Sequence, residues 1–302
     1  MRQNRPQWGY NVMRISMSAL AVVTAGAAAC GGTIAPTSTA GGPPVPASAT
    51  PAIPQSAPLR YSPGVTKYVI TQRHHVDQQL PTGDQVQEIG LRTYVTAIII
   101  GPADARGYSV SITIDSILAD SATVLPPTVD LQSARGLRYD GRLSPWGQLI
   151  DPRPSDAAIA KNLAQLFGGF RTFFPKLPSA GVAPGVKWSD STEATDTTGT
   201  AVVVDRSVSH YATGEWESPA GVRQLGIQVS GDFTVSGSGA AGGATFALSG
   251  TGTHAGKLQF SAAGRFLGGS TVDSAGIVIT FDPQGMAIPR HQVSRTTIVV
   301  LP

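Results

Sequence analysis

The chain has 302 residues, 22 Lys+Arg against 19 Asp+Glu, and a single cysteine. One cysteine excludes an internal disulfide, so the fold rests on its buried core. Arg2, Arg5 and Arg14 lie in residues 1–29, which hold no acid; 22 less these three leaves 19 basic against 19 acidic residues. That neutral balance, with no basic cluster, excludes nucleic acid and a polybasic membrane surface as partners.

The apolar run Ile15–Ala29 follows the arginines. It has the length of a signal-peptide core and is short for a spanning helix. It ends in Ala27-Ala28-Ala29-Cys30-Gly31-Gly32. Small residues before a cysteine resemble the lipobox of bacterial lipoproteins, although Ala27 stands where that family usually has leucine. The resemblance implies that residues 1–29 are a cleaved signal peptide and that the Cys30 thiol is lipidated. The membrane would then be a partner through an N-terminal lipid anchor. Gly31 lacks the aspartate that marks inner-membrane retention in the family. The implied location is the exported cell envelope, at the outer membrane, facing the periplasm or the cell surface.

Residues 30–63 are low-complexity Ala/Pro/Gly/Ser/Thr, which cannot bury enough apolar surface to fold, and they read as an extended tether. Residues 64–302 read as one β-rich domain. TKYVITQRHHVDQQ alternates loosely and predicts a first strand, followed by a Pro81–Asp84 turn, a long run Gln85–Ile100 and a second turn over Gly101–Asp104. Tyr108, Val110, Ile112 and Ile114 alternate with polar residues as one buried face of a strand. Residues 126–135 predict a short helical or turn segment, and Leu137–Ile150 a hairpin.

Ser155–Phe174 carries the one helical periodicity. Ile159, Leu163, Leu166, Phe167, Phe170, Phe173 and Phe174 fall within an arc of roughly 120° at about 100° per residue. Pro175 would stop the helix. Beyond a Pro/Gly-punctuated connection, strand signals return at Val186–Ser191, Thr200–Tyr211, Val222–Ser236, Ala244–Thr253, Lys257–Phe266, Thr271–Phe281 and Val293–Leu301. The predicted class is α+β, mainly antiparallel β: a curved sheet or half-barrel packed on one central amphipathic helix near residues 155–174. This pattern resembles half-barrel bacterial lipoproteins of the LolA/LppX type. Pro175-Lys176-Leu177-Pro178 with Pro184-Gly185-Val186-Lys187-Trp188 also resembles a segment of secreted bacterial proteins, and that resemblance implies no activity.

No sequence motif marks catalysis. Gly237-Ser238-Gly239-Ala240-Ala241-Gly242 fits a nucleotide-loop spacing, but a strand pattern follows it rather than a helix N-terminus, so it reads as a hairpin. His74 and His75 would point to opposite faces of a strand, and His210, His254 and His291 stand apart, so no metal site is expected. Asp190, Glu193 and Asp196 read as a solvated stretch, and Glu215 and Glu217 as an exposed pair. No cofactor is expected. The expectation is a non-enzymatic, lipid-anchored envelope protein with a structural or interaction role. The alternative is a carrier whose Leu163, Leu166, Phe167, Phe170 and Phe173 line a site for a hydrophobic ligand.

Overall fold

The computed structural model describes residues 59–302 except 105, 122, 124–129, 168, 169, 171, 172, 199, 242, 243, 283 and 284. The predicted signal peptide, Cys30 and most of the tether lie outside the described residues. Eleven strands form the domain: β1 (Gly64–Leu80), β2 (Gly83–Asp104), β3 (Gly107–Ala119), β4 (Arg138–Leu143), β5 (Leu149–Pro154), β6 (Lys187–Thr198), β7 (Ala201–Glu217), β8 (Gln224–Ala241), β9 (Ala244–Ser261), β10 (Phe266–Asp282) and β11 (Met286–Val300). They make a single antiparallel sheet in the order β5-β4-β3-β2-β1-β11-β10-β9-β8-β7-β6. Nine of its ten neighbouring pairs are consecutive in sequence; only β1–β11 joins distant parts of the chain.

The sheet buries one face over most of its width, the edge strand β5 having no buried residue. On β1 the buried positions are Tyr68, Ile70, Gln72, His74, Val76 and Gln78, while the residues between them are partly or fully exposed. A single layer hides a face in this way by rolling up, which long twisted strands favour. Small residues assist the curvature. Gly231, Gly250 and Gly252 on the inner face stand opposite His254, Val235 and Phe233 of the neighbouring strand, so each bulky side chain lies over a bare stretch of backbone. A Cβ at Gly252 would overlap Phe233 Cζ and the Ser274 carbonyl oxygen. Gly252→Val should therefore cost about 1–3 kcal/mol through overpacking. Thr251→Val, on the exposed face of the same strand, should stay within about 0.5 kcal/mol. Equal midpoints of chemical denaturation for the two variants would contradict this account.

Two apolar clusters occupy the interior. One, at the end carrying β3–β5, gathers Tyr68, Val95, Ile112, Leu143, Leu225 and Phe260 with residues of the β5–β6 connection. The other, at the opposite end, holds Phe233, Val235, Phe246, Leu248, Ile277, Ile279, Phe281 and Ile288.

The α+β expectation is overturned. The domain is almost entirely antiparallel β, with no central helix as its organising element. A helix α1 spans Ala157–Phe167 only, opened by Asp156, whose carboxylate accepts the Ala158 and Ile159 N–H groups at 2.9 Å. Phe170, Phe173 and Phe174 lie beyond it. Their helical spacing is satisfied instead by tertiary contacts. Phe173 meets Tyr68 of β1 and Phe266 of β10, Phe170 meets Tyr139 of β4, and Phe174 meets Tyr61, all in edge-on ring pairs. In sequence, Gly168-Gly169 follows α1 directly, and two glycines in a helix interior cost about 1 kcal/mol each. Tertiary packing thus outweighed the periodicity. The connection from α1 to β6 closes one end of the rolled sheet. Tyr61 Oη donates to the Pro175 carbonyl at 2.8 Å, and Leu177 N–H to that of Trp146 at 2.7 Å.

Two boundaries also differ from expectation. Leu59 and Tyr61, assigned by composition to the tether, are buried, and Leu59 bridges to Val182. Ala244–Thr253 and the following segment to Ser261 form one continuous strand, β9; the predicted break before Lys257 is absent because Gly256 packs beneath β10 rather than turning the chain.

Candidate functional site

Between the two apolar clusters the inner face is polar. The layer is built from one to three residues on each of six strands: Gln72, His74 and Gln78 on β1, Thr192 on β6, Asp205, Ser207 and Ser209 on β7, His254 on β9, Asp273 on β10, and Arg290, Gln292 and Ser294 on β11. Strand alternation explains the placement. On β1, β9, β10 and β11 these positions have the same parity as the buried apolar residues of the strand, and on β6 and β7 they share it with the half-buried Trp188 and Tyr211.

The register sets out two halves of this layer. In the first, Ser209, Gly231, His254 and Asp273 lie in a row across β7, β8, β9 and β10. The missing side chain of Gly231 lets the His254 ring reach across, and His254 Nε2 lies 2.9 Å from Ser209 Oγ. Thr192 Oγ1 and Ser207 Oγ, one register step along, are 3.0 Å apart. Burial lowers the His254 pKa, and burial with the nearby Asp205 charge raises that of Asp273 to about 6. The row has the residue types of a hydroxyl–imidazole–carboxylate relay, but His254 Nδ1 has no hydrogen-bond partner among the described residues and Ser209 is 3% exposed. The carboxylate therefore does not orient the imidazole, and the hydroxyl is not presented to a substrate.

In the second half, β11 faces β1, with Arg290 opposite Gln78, Gln292 opposite Val76 and Ser294 opposite His74. Arg290 is 6% exposed, and burial lowers its pKa to about 10. The His74 pKa is lowered by burial and then by the Arg290 charge.

The outer face is different in kind. Arg73, Glu193, Arg206, Asp232 and Arg295 are exposed in the middle parts of their strands and Lys257 nearer the end of β9, among serines and threonines. Arg206 pairs with Glu193 at 3.0 Å, and His75, flanked by Asp77 and Glu88, has its pKa raised by hydrogen bonds to both carboxylates. His74 and His75 thus point to opposite faces. On β6–β9 a solvent-open depression of about 650 Å³ is lined by residues including Lys187, Ser189, His210, Gln228 and Ser230. Ser189 Oγ and His210 Nδ1 are 2.8 Å apart there.

Of the residues predicted to line a hydrophobic ligand site, Leu163, Phe170 and Phe173 are buried together in the first apolar cluster. The side chains of Leu166 and Phe167 lie outside the described residues. Sequence reasoning missed the polar layer altogether. The one signal available was parity: Gln72, His74 and Gln78 share it with Tyr68, Ile70 and Val76.

No protein-family model and no curated protein matches the chain. Among solved structures, similarity is found to Pseudomonas aeruginosa OccK2 (OpdF), at 8% identity over 79% of this chain and 98% of that one, with a TM-score of 0.29. A BenF-like porin from Pseudomonas fluorescens gives 8% identity, 78% and 99% coverage and a TM-score of 0.25. Neisserial surface protein A gives 10% identity, 78% and 98% coverage and a TM-score of 0.21. Scores this low establish no common fold and carry no function to this chain.

Proposed function

We propose that the chain is a non-enzymatic, lipid-anchored protein of the bacterial cell envelope. Its β domain stands in water on the proline-rich tether and acts by interaction with a partner. The observation that carries this reading is the outer face. Strands of 17 or 18 residues such as β8, β9 and β10 are long enough to cross a bilayer, which needs about 9–11. Their outward side chains, however, include Asp232 and Lys257, with Arg206 and Arg295 on neighbouring strands. A basic side chain on a lipid-facing barrel surface costs about 2–4 kcal/mol near the bilayer midplane. The face suits water, so attachment falls to Cys30. The incomplete Ser209–His254–Asp273 row supports a role without catalysis.

Metabolic labelling with a fatty acid tests the anchor. The wild-type chain should take up label and Cys30→Ala should not; equal labelling of the two, or none of either, refutes the anchor. Proteolytic cleavage in the tether should then release the domain to the soluble fraction. A domain that stays with the membrane would mean that the sheet itself enters the bilayer.

A further inference from the structure

Arg290 is a buried cation, 6% exposed. Its guanidinium makes no ion pair among the described residues, and its Nε has no hydrogen-bond partner. Taking such a charge out of water costs several kcal/mol unless something compensates it. Three further buried polar atoms on the same inner face also lack partners: His74 Nε2, Gln292 Oε1 and Ser294 Oγ. With Gln78 opposite Arg290, these groups supply a guanidinium fork, an imidazole nitrogen and a hydroxyl able to donate, and two amides that donate through their NH2 groups; Gln292 Oε1 itself accepts, so that amide would serve an anion with its NH2 turned inward. Two inner-face acids stand near in register: Asp205, in the same row as Arg290 through Val235, Gly250 and Ile277, and Asp273, opposite Ser294 and four residues along from the position facing Arg290. The Arg290 guanidinium is ion-paired with neither.

We propose that this donor array on β1 and β11 is the binding site for an anion bearing carboxylate or phosphate oxygens, held by the Arg290 guanidinium. The geometry suits such a group because a planar fork pairs bidentately with two oxygens, and the hydroxyl, imidazole and amides can satisfy the rest. The sheet is open on the β2 side of this end. β3 pairs with β2 only from Leu91 onward, so Gly83–Gly90 has no strand on that side. Gln85, opposite Gln78, is exposed there. The apolar cluster with Ile277 and Ile288 adjoins Arg290, so the anion could be free or the head of an amphiphile.

The test follows thermal unfolding of the full chain during titration with inorganic phosphate and with decanoate, each against sodium chloride of equal ionic strength. Either anion should raise the unfolding temperature of the wild type saturably. Phosphate alone indicates a free-anion site, and decanoate alone an amphiphile head. In Arg290→Met, which removes the buried charge and keeps the bulk, the apparent affinity should fall by at least about tenfold. If that variant does not fold, Ser294→Ala, which removes one donor, replaces it and should weaken binding several-fold. The absence of any saturable shift in the wild type, or equal shifts in wild type and variant, overturns the proposal.

Discussion

Phe173→Ala should destabilise the domain by about 3–5 kcal/mol, a large part of the roughly 5–15 kcal/mol by which native domains are stable. The ring is 7% exposed and lies 5.1 Å from Tyr68, 4.9 Å from Phe174 and 5.7 Å from Phe170, centroid to centroid. Aromatic pairs of this kind add about 0.5–1.5 kcal/mol each beyond the area they bury. Truncation would also leave a hole that neighbours held by β1, β4 and β10 cannot fill by shifting. Lys161→Ala, on an exposed position of α1, should change stability by no more than about 0.5 kcal/mol. Equilibrium denaturation of the two variants reads the difference directly. The result also bears on the carrier alternative. Rings in mutual edge contact form a packed interior, whereas rings lining a ligand chamber would tolerate truncation and leave the wild type with a co-purifying lipid.

The second large effect depends on pH. The Asp273 carboxyl titrates near 6 in the folded protein, because burial and then Asp205 disfavour its charge. In the unfolded chain it would titrate near its usual value of about 3.9. Between those two values the folded state holds a proton that the unfolded chain has released. Stability from this group therefore falls as pH rises through about 4 to 6, and the whole penalty stands above that window. A shift of about two units corresponds to an upper figure of about 3 kcal/mol. Asp273→Asn, which cannot ionise, should be more stable than wild type at pH 8 by up to that amount, and the gap should close near pH 4. His74 and His254 act in the opposite sense. Their folded-state values are lowered, so they stay neutral while the unfolded chain protonates near 6.5, and stability is lost as pH falls below that point. Unfolding curves of wild type and Asp273→Asn at several pH values decide the matter. A gap of the same size at pH 8 and pH 4.5 would remove Asp273 as its source.

The strands were legible because a two-residue period survives whatever the side chains are. Tyr108, Val110, Ile112 and Ile114 could be placed on one face of β3, and Val110, Ile112 and Ile114 are indeed buried there. Which face of a Ser/Thr-rich strand turns inward was not legible. On β7 the inward set is Asp205, Ser207 and Ser209, and the outward set includes Val202 and Val208, the reverse of what hydropathy suggests. Only the roll of the sheet, which depends on all eleven strands together, decides that assignment. The same gap hid the candidate site. Arg290 and His74 are 216 residues apart in number, and nothing local to either signals that β1 and β11 lie side by side. The helix was over-read for a related reason. Phenylalanines at 170, 173 and 174 meet the spacing of a helix and equally that of an irregular segment whose rings each find a partner strand.

The central place of the β1–β11 pairing governs when this protein can finish folding. Every other strand can pair with its immediate successor or predecessor as soon as both have emerged, so most of the sheet assembles from local hairpins. β1 is the first strand of the domain to appear, yet one of its edges stays without a partner until the last strand has been delivered. A chain exported from its N-terminus would thus hold two separate blocks, β1–β5 and β6–β11, awaiting a single seam. Losing even the last strand would leave the β1 and β10 edges bare, so a chain truncated before Met286 would be two hairpin ladders joined by the β5–β6 connection rather than a slightly shorter sheet. Closure over such a sequence distance is slow compared with hairpin formation. The interval between the two is when the unpaired β1 edge is exposed to aggregation and to the folding factors of the compartment.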